Sequence, residues 1–452
     1  MNIYNLINLK HIWITLLVLI VWSILGSCSD NEDKVYPEQP EQPENPLPVT
    51  EKKIPVIVIE TEEHAPITDK ENYVNCSVKI IDESKLYTDG TVFNGTGGIR
   101  GRGNTTWVMP KKPYKIKLDN KAKLLGMSTD KEWALLANYS DRSLLRNTTA
   151  FEISQIVGMD WTPRSRNVEL YINDKYLGVY QLTEQVKVSK ERSNLNIVDE
   201  NATKEEDLKA DYLIELDHYF DEDYKFRTNI ADLPLMFKDP KKPNQEQFDY
   251  VQNCFNRAEA ALYSESFLDP ILGYNQYIDI DSFLKFYIVQ ELSKNVDGNM
   301  RGSCYMALKS DGKIYQPFVW DFDIAFGNAK HITWEQGADS AGPDGWFIKT
   351  CSPWFDRFFM DPAFVSGLKQ KWNSMKPKLD RLPDFIQEQA DLLDDAANRN
   401  FMSVSKGGAG WPIRGLIWPH YEDRGSYAAE VEFLKNFVIE RLEWLDEHIN
   451  AL

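Results

Sequence analysis

The residues of this chain best suited to chemistry are carboxylates in its second half. Val319-Trp320-Asp321-Phe322-Asp323-Ile324-Ala325-Phe326-Gly327 sets two aspartates at i and i+2 behind an apolar run that reads as a buried strand. On extended backbone i and i+2 share a face, so both carboxylates can approach one hard divalent cation, which prefers oxygen ligands. Upstream, Lys294-Asn295-Val296-Asp297-Gly298-Asn299 carries an aspartate in a turn just after a helical pattern that ends near Ser293. Each motif alone is also the composition of a solvated turn or an Asx cap. Their order is more informative. An Asp-bearing loop, a strand, a turn and a second strand leading to Asp-Phe-Asp is the spacing used in kinases, where one Asp orients the acceptor hydroxyl and another holds Mg²⁺ against the phosphates.

Matching parts can be sought in the first half. Gly101-Arg102-Gly103-Asn104-Thr105-Thr106 offers backbone N–H groups and hydroxyls beside Arg100 and Arg102, as a phosphate-covering turn requires. Lys115 and Lys117 share one face of the following strand, and Glu184 can pair with either. Gly-rich turns also simply join strands, strand lysines commonly face water, and the spacing departs from Gly-x-Gly-x-x-Gly. Other chemistries are excluded more firmly. There is no Gly-x-x-x-x-Gly-Lys-Ser/Thr loop, no Gly-x-Ser-x-Gly elbow and no His-x-x-x-His pair among the 6 histidines, which argues against P-loop NTPases, α/β-hydrolases and zinc hydrolases.

The elements that must position these residues can be read from periodicity. Residues 53–59, 73–81, 114–118 and 212–216 read as strands, 95–104 as a Gly-rich turn region, and 168–172 with 176–182 as a hairpin. Helical spacing covers 141–157, with Asp141 as N-cap, and then about 246–263, 279–294, 363–398 and 427–450. Strands before and helices after predict an α+β chain, with a β-rich N-terminal lobe at about 51–220 and a helical C-terminal lobe at about 221–452.

Residues 1–27 have the layout of a secretory signal peptide, and Leu25-Gly26-Ser27-Cys28 resembles a bacterial lipobox in which Cys28 is lipidated. Residues 28–50, rich in Pro, Glu and Gln, read as an extended acidic linker. Membrane attachment through that lipid, at the outer membrane or cell surface, is the expected location. The 452 residues carry 51 Lys+Arg against 69 Asp+Glu, a formal charge of −18, which disfavours sequence-independent nucleic-acid binding. Cys76, Cys254, Cys304 and Cys351 form no Cys-x-x-Cys pair and read as buried free thiols, with one or two disulfides as the alternative outside the cytoplasm.

Several blocks then resemble, in order, the CotH family of spore-coat protein kinases: Ile99 to Trp107, Pro110 to Leu118, Leu125-Gly126-Met127, Trp133 to Leu136, Asp141 to Asn147, Tyr176 to Glu184, and Trp320-Asp321-Phe322-Asp323. The resemblance runs from about Ile54 to Leu445. It implies an atypical protein-kinase-like fold that binds ATP with Mg²⁺ or Mn²⁺ and phosphorylates Ser/Thr of extracytoplasmic or coat proteins. By position, Asp297 looks like the catalytic-loop Asp and Asp321 with Asp323 like the metal-loop carboxylates. Lys115 or Lys117 with Glu184 would be the nucleotide-side pair. Asn-Asn commonly follows the catalytic Asp in the family; here Asn299 or Ser303 would substitute as the second metal ligand. A second reading, from another class, is a catalytically silent surface module that binds glycan or protein through Trp346, Trp354, Trp411 and Trp418.

Overall fold

A computed structural model describes residues 53–329, 341–419 and 422–452. The signal peptide, Cys28 and the whole linker lie outside the described residues. Both strands and helices are present, with strands concentrated first and helices last, so the α+β expectation holds.

Seven strands close into a barrel: β1 (Val56–Thr61), β2 (Val74–Ile81), β3 (Phe93–Gly101), β4 (Tyr114–Lys123), β5 (Thr129–Leu136), β6 (Ser165–Ile172) and β7 (Lys175–Glu184). The order is β1-β2-β3-β4-β5-β7-β6, closed by a parallel β1–β6 pairing from Val56↔Glu169 to Ile59↔Ile172. Alternation fills the interior: Ile57, Ile59, Val78, Ile80, Ile99, Ile116, Leu118, Trp133, Leu135, Val168, Leu170 and Leu182 form one buried cluster. Each such side chain contributes roughly 1.5–3 kcal/mol by leaving water.

The Gly-rich stretch read as a turn is largely strand, since β3 runs to Gly101. Backbone crowding explains the glycines, because a Cβ at Gly97 would collide with the Lys117 carbonyl oxygen on β4. The turn proper is confined to residues 102–104, where Gly103 has φ +83°. The expected hairpin is present. Asn173 and Asp174 turn it with φ of 50° and 62°, the left-handed geometry that matches strand twist.

A second sheet, in order β12-β11-β8-β10-β9, lies outside the barrel: β8 (Tyr212–Leu216), β9 (Lys225–Arg227), β10 (Pro234–Asp239), β11 (Cys304–Leu308) and β12 (Ile314–Tyr315). β8 precedes residue 220 and pairs with β11 beyond it, so this sheet draws on both sides of the expected lobe boundary.

The long helices are α1 (Arg146–Val157), α2 (Gln245–Tyr263), α3 (Ile280–Ser293), α4 (Pro362–Leu379), α5 (Leu382–Phe401) and α6 (Tyr427–Ala451). Asn244 and Gln247 form a reciprocal capping box on α2, and Asp279 caps α3. The single helix expected over 363–398 is two, because Pro383 cannot donate within a continuing helix and Pro362 opens the first. The core of this part is aromatic-rich: Phe283, Phe355, Phe358 and Phe364 contact one another at ring separations of 5.3–6.5 Å.

Barrel and helices meet at the end of α5. Arg399 makes a bidentate pair with the buried Glu169 on β6 (2.8 and 3.0 Å), and Asn400 accepts from the Val179 backbone N–H (3.0 Å). Trp411 donates its indole N–H to the Leu177 carbonyl (2.7 Å). Among the described residues no helix is long and apolar enough to cross a membrane.

Candidate active site

Between the barrel and the second sheet lies a cleft of about 370 Å³, within the roughly 300–1,000 Å³ usual for small-molecule sites. Asp297, Asp321, Asp323 and Arg102, far apart in sequence, all line it.

Asp297 follows α3. Lys294 ends that helix in left-handed conformation (φ +43°), and Asn295 then turns the chain. The Asn295 carboxamide bridges both acid-bearing segments: its oxygen accepts from the Asp297 N–H (3.3 Å) and its Nδ2 donates to the Asp321 carbonyl (3.1 Å). Further along, the Gly302 N–H donates to the Asp297 carbonyl at 3.0 Å, and the Ser303 hydroxyl donates to Asp321 Oδ2 at 3.4 Å.

The Asp-Phe-Asp segment is not a strand, and the run before it forms no ladder. Asp321 has φ +66°, so the extended-backbone reason for bringing the two carboxylates together does not apply. Side chains replace strand partners. Asn147 Oδ1 accepts from the Phe322 N–H (2.9 Å), Asn328 Nδ2 donates to the Asp323 carbonyl (2.6 Å), and Arg146 Nε donates to the Ala325 carbonyl (3.0 Å). Arg146 is itself fixed by the fully buried Asp141 at 2.5 Å. Asp141 therefore does not cap α1 in the ordinary sense. Its carboxylate accepts from Ser143 and from the backbone and guanidinium of Arg146, which aims the block Asp141 to Asn147 at the Asp-Phe-Asp turn.

The acids share a dry, negative environment. Burial first, then the charges of Asp321 and Asp217, push the Asp297 carboxyl up to about 7. Burial also raises Asp321, against the opposing pull of Arg102, and raises Asp323 well above the carboxylate range with help from Asp321 and Asp297. An all-oxygen set whose members repel one another suits a hard divalent cation. The ligand atoms of the three are not gathered as tightly as in a loaded centre. Among the described residues only Glu60, His64 and Asp174, on the barrel surface, bring three such atoms within 4.8 Å.

The turn after β3 overhangs the cleft. Arg102 stacks over Trp320 (5.7 Å), and Thr105 Oγ1 lies 2.8 Å from Tyr219 Oη, a bond across the cleft mouth between two exposed side chains. Of the other cations and acids expected here, Arg100, Lys115, Lys117 and Glu184 are not among the cleft residues. Strand alternation turns them elsewhere: Arg100 covers Tyr73 (5.1 Å), Lys115 pairs with Glu132 (3.0 Å), and Lys117 is exposed. Glu184 is buried against Arg164 (2.9 Å) and accepts from the Ser128 N–H (2.7 Å) rather than meeting either lysine.

Three cleft residues escaped the sequence reading. Asp217, just past β8, accepts from the Ser303 and Tyr219 N–H groups at 2.9 Å each and so fixes the loop carrying Asp297. Glu215 holds Lys238 at 2.8 Å. The i, i+2 acids Glu215 and Asp217 at the end of a clear strand were the available signal. Lys111 is fully buried, with its ammonium donating to the Val179 carbonyl (2.5 Å) and to Asn400 Oδ1 (3.1 Å) and lying 4.7 Å from the Tyr180 ring. Of the substitutes considered for the second metal ligand, Ser303 lines the cleft and Asn299 does not.

The aromatic residues considered for ligand stacking divide the same way. Trp354 and Trp411 are buried and Trp346 packs against Trp444 (5.0 Å), which leaves Trp418, 38% exposed, at the cleft. Its loop is held by Arg142, which donates to the Arg414 (3.1 Å) and Gly415 (2.8 Å) carbonyls, and by Ser140, which donates to the Trp418 carbonyl (3.2 Å).

A family model described as CotH kinase protein matches residues 99–445. No curated protein matches the chain.

Proposed function

Since the chain belongs to the CotH kinase family, we propose that it is a protein kinase of atypical kinase-like fold that transfers the γ-phosphoryl group of ATP to Ser or Thr hydroxyls of extracytoplasmic proteins. We extend the proposal to its location: a lipoprotein attached to the membrane through Cys28, with residues 28–50 as tether. The observation that supports the chemistry best is the convergence of Asp297, Asp321, Asp323 and Arg102 on one cleft.

Asp297 is the general base in this reading. Its carboxylate accepts the acceptor hydroxyl's proton as the new O–P bond forms at the γ-phosphorus and the bond to the β,γ-bridging oxygen breaks, releasing ADP. A carboxyl pushed up to about 7 is poised between holding and releasing a proton near neutrality. Asp321 and Asp323 would hold a divalent cation, which supplies charge neutralisation on the phosphates. Arg102 adds fixed positive charge beside them, and Asn295 keeps the two acid-bearing segments in register. Of the four tryptophans weighed for glycan or protein binding, Trp354 and Trp411 are buried and Trp418 lines the cleft.

The test is transfer of radiolabelled phosphate by the purified full chain with Mg²⁺ or Mn²⁺. Asp297→Ala is expected to lower kcat by about 10²–10⁴-fold. Full labelling by this variant would remove Asp297 from its role, and an unlabelled, nucleotide-insensitive parent would remove the kinase reading.

A further inference from the structure

Lys111 presents an electrostatic problem. Its side chain is fully buried, yet among the described residues burial alone acts on it and no carboxylate does. Its partners are the Val179 carbonyl, the Asn400 carboxamide oxygen and the face of Tyr180, all neutral. The end of α5, where Asn400 sits, offers a partial charge of only about −0.5. Buried charge without a counterion is costly, and proteins usually avoid it by pairing. Burial accordingly holds this lysine well below its ordinary range.

The residue also lines the cleft. An ammonium has three donors, and two of these are committed. The arrangement is that of an anion site whose counterion arrives with the ligand. The neighbouring residues Arg102, Thr105 and Thr106 add a cation and hydroxyl donors on the same wall.

We propose that Lys111, not Lys115 or Lys117, is the lysine that contacts the phosphate oxygens of the bound nucleotide, held in place for that purpose by Asn400 of the helical lobe. This rests on the kinase reading above. Because Asn400 also accepts from the β7 backbone, phosphate at Lys111 bears directly on the joint between barrel and α5.

The experiment measures binding of ATP, tripolyphosphate and adenosine to the full chain by calorimetry, and the thermal midpoint without ligand. Lys111→Met is expected to weaken ATP and tripolyphosphate by about 10–100-fold, the worth of a charge-assisted hydrogen bond, and to leave adenosine unchanged. Its ligand-free thermal midpoint reports that the variant still folds. Asn400→Asp, which supplies the missing carboxylate, should weaken both polyphosphates while the chain stays folded. Lys117→Met should bind as the parent does. Parent-like ATP affinity in Lys111→Met would overturn the assignment and leave the kinase reading standing. Lys111-dependent binding of tripolyphosphate without ATP binding would keep the anion site and overturn the nucleotide. A parent that binds neither would overturn both.

Discussion

Asp323 illustrates how the cleft concentrates charge in few residues. Burial and three neighbouring acids, Asp321, Asp297 and Asp141, raise its carboxyl well above the usual range, so the acid cluster is under mutual repulsion. Asp323→Asn removes a member of that cluster without changing its shape. The variant is expected to unfold no earlier than the parent in EDTA, whereas the parent's gain in thermal midpoint on adding Mg²⁺ or Mn²⁺ should be lost; scanning fluorimetry with and without metal reads both. A metal-induced gain that survives in the variant would count against Asp323 as a ligand. At this scale the sequence reading singled out Asp297, Asp321 and Asp323, which do line one cleft, although the extended backbone invoked to bring the last two together is absent. It was opaque for Lys111, because three lysines stand within Lys111-Lys112-Pro113-Tyr114-Lys115 and only tertiary packing distinguishes the one that enters the interior.

At the scale of elements, the block Asp141 to Asn147 matters more than the helix it introduces. Arg146 and Asn147 hold the carbonyl of Ala325 and the N–H of Phe322, so they fix the turn that carries both metal-loop acids. Arg146→Met strands the buried Asp141 carboxylate, a loss of roughly 3–5 kcal/mol. Chemical denaturation should show that loss, and the loosened turn should lower kcat in the labelling assay with the fold still intact. An unchanged denaturation midpoint would mean the pair is not as buried as it stands here. The reading recovered the strand at 212–216 to the residue and the hairpin to within three, because apolar runs there are bounded by turn residues such as Asn173-Asp174. It missed that residues 95–101 are strand, since glycine carries no propensity for one and the cause is the backbone of β4 pressing against them. It also read the run before Asp321 as strand; that run joins no ladder, and the turn it leads into is held at Phe322 and Asp321 by the side chains of Asn147 and Asn295, which no local pattern announces.

For the whole molecule, the thiols report how completely the described part is closed. Burial pushes Cys76 and Cys304 up to about 12, Cys254 lies in the core, and Cys351 is half-buried. At pH 8 a thiol of that pKa is ionised on the order of one part in ten thousand, too little for fast reaction. In a full chain carrying Cys28→Ser, Ellman's reagent is therefore expected to titrate at most Cys351 before denaturation and all four afterwards. Two or more fast thiols in the native protein would contradict the packing. The strands-then-helices division was readable because composition changes near residue 220, but the barrel's closure was not, since it depends on β1 and β6, separated by more than a hundred residues, lying side by side.

That closure has a mechanical consequence. β1 is hydrogen-bonded on both sides, antiparallel to β2 and parallel to β6. A pull transmitted through the chain before Val56, along the strand, must shear both ladders together instead of peeling bonds one at a time. Were the chain held by a tether before Val56, an external load would thus enter at a strand paired on both sides.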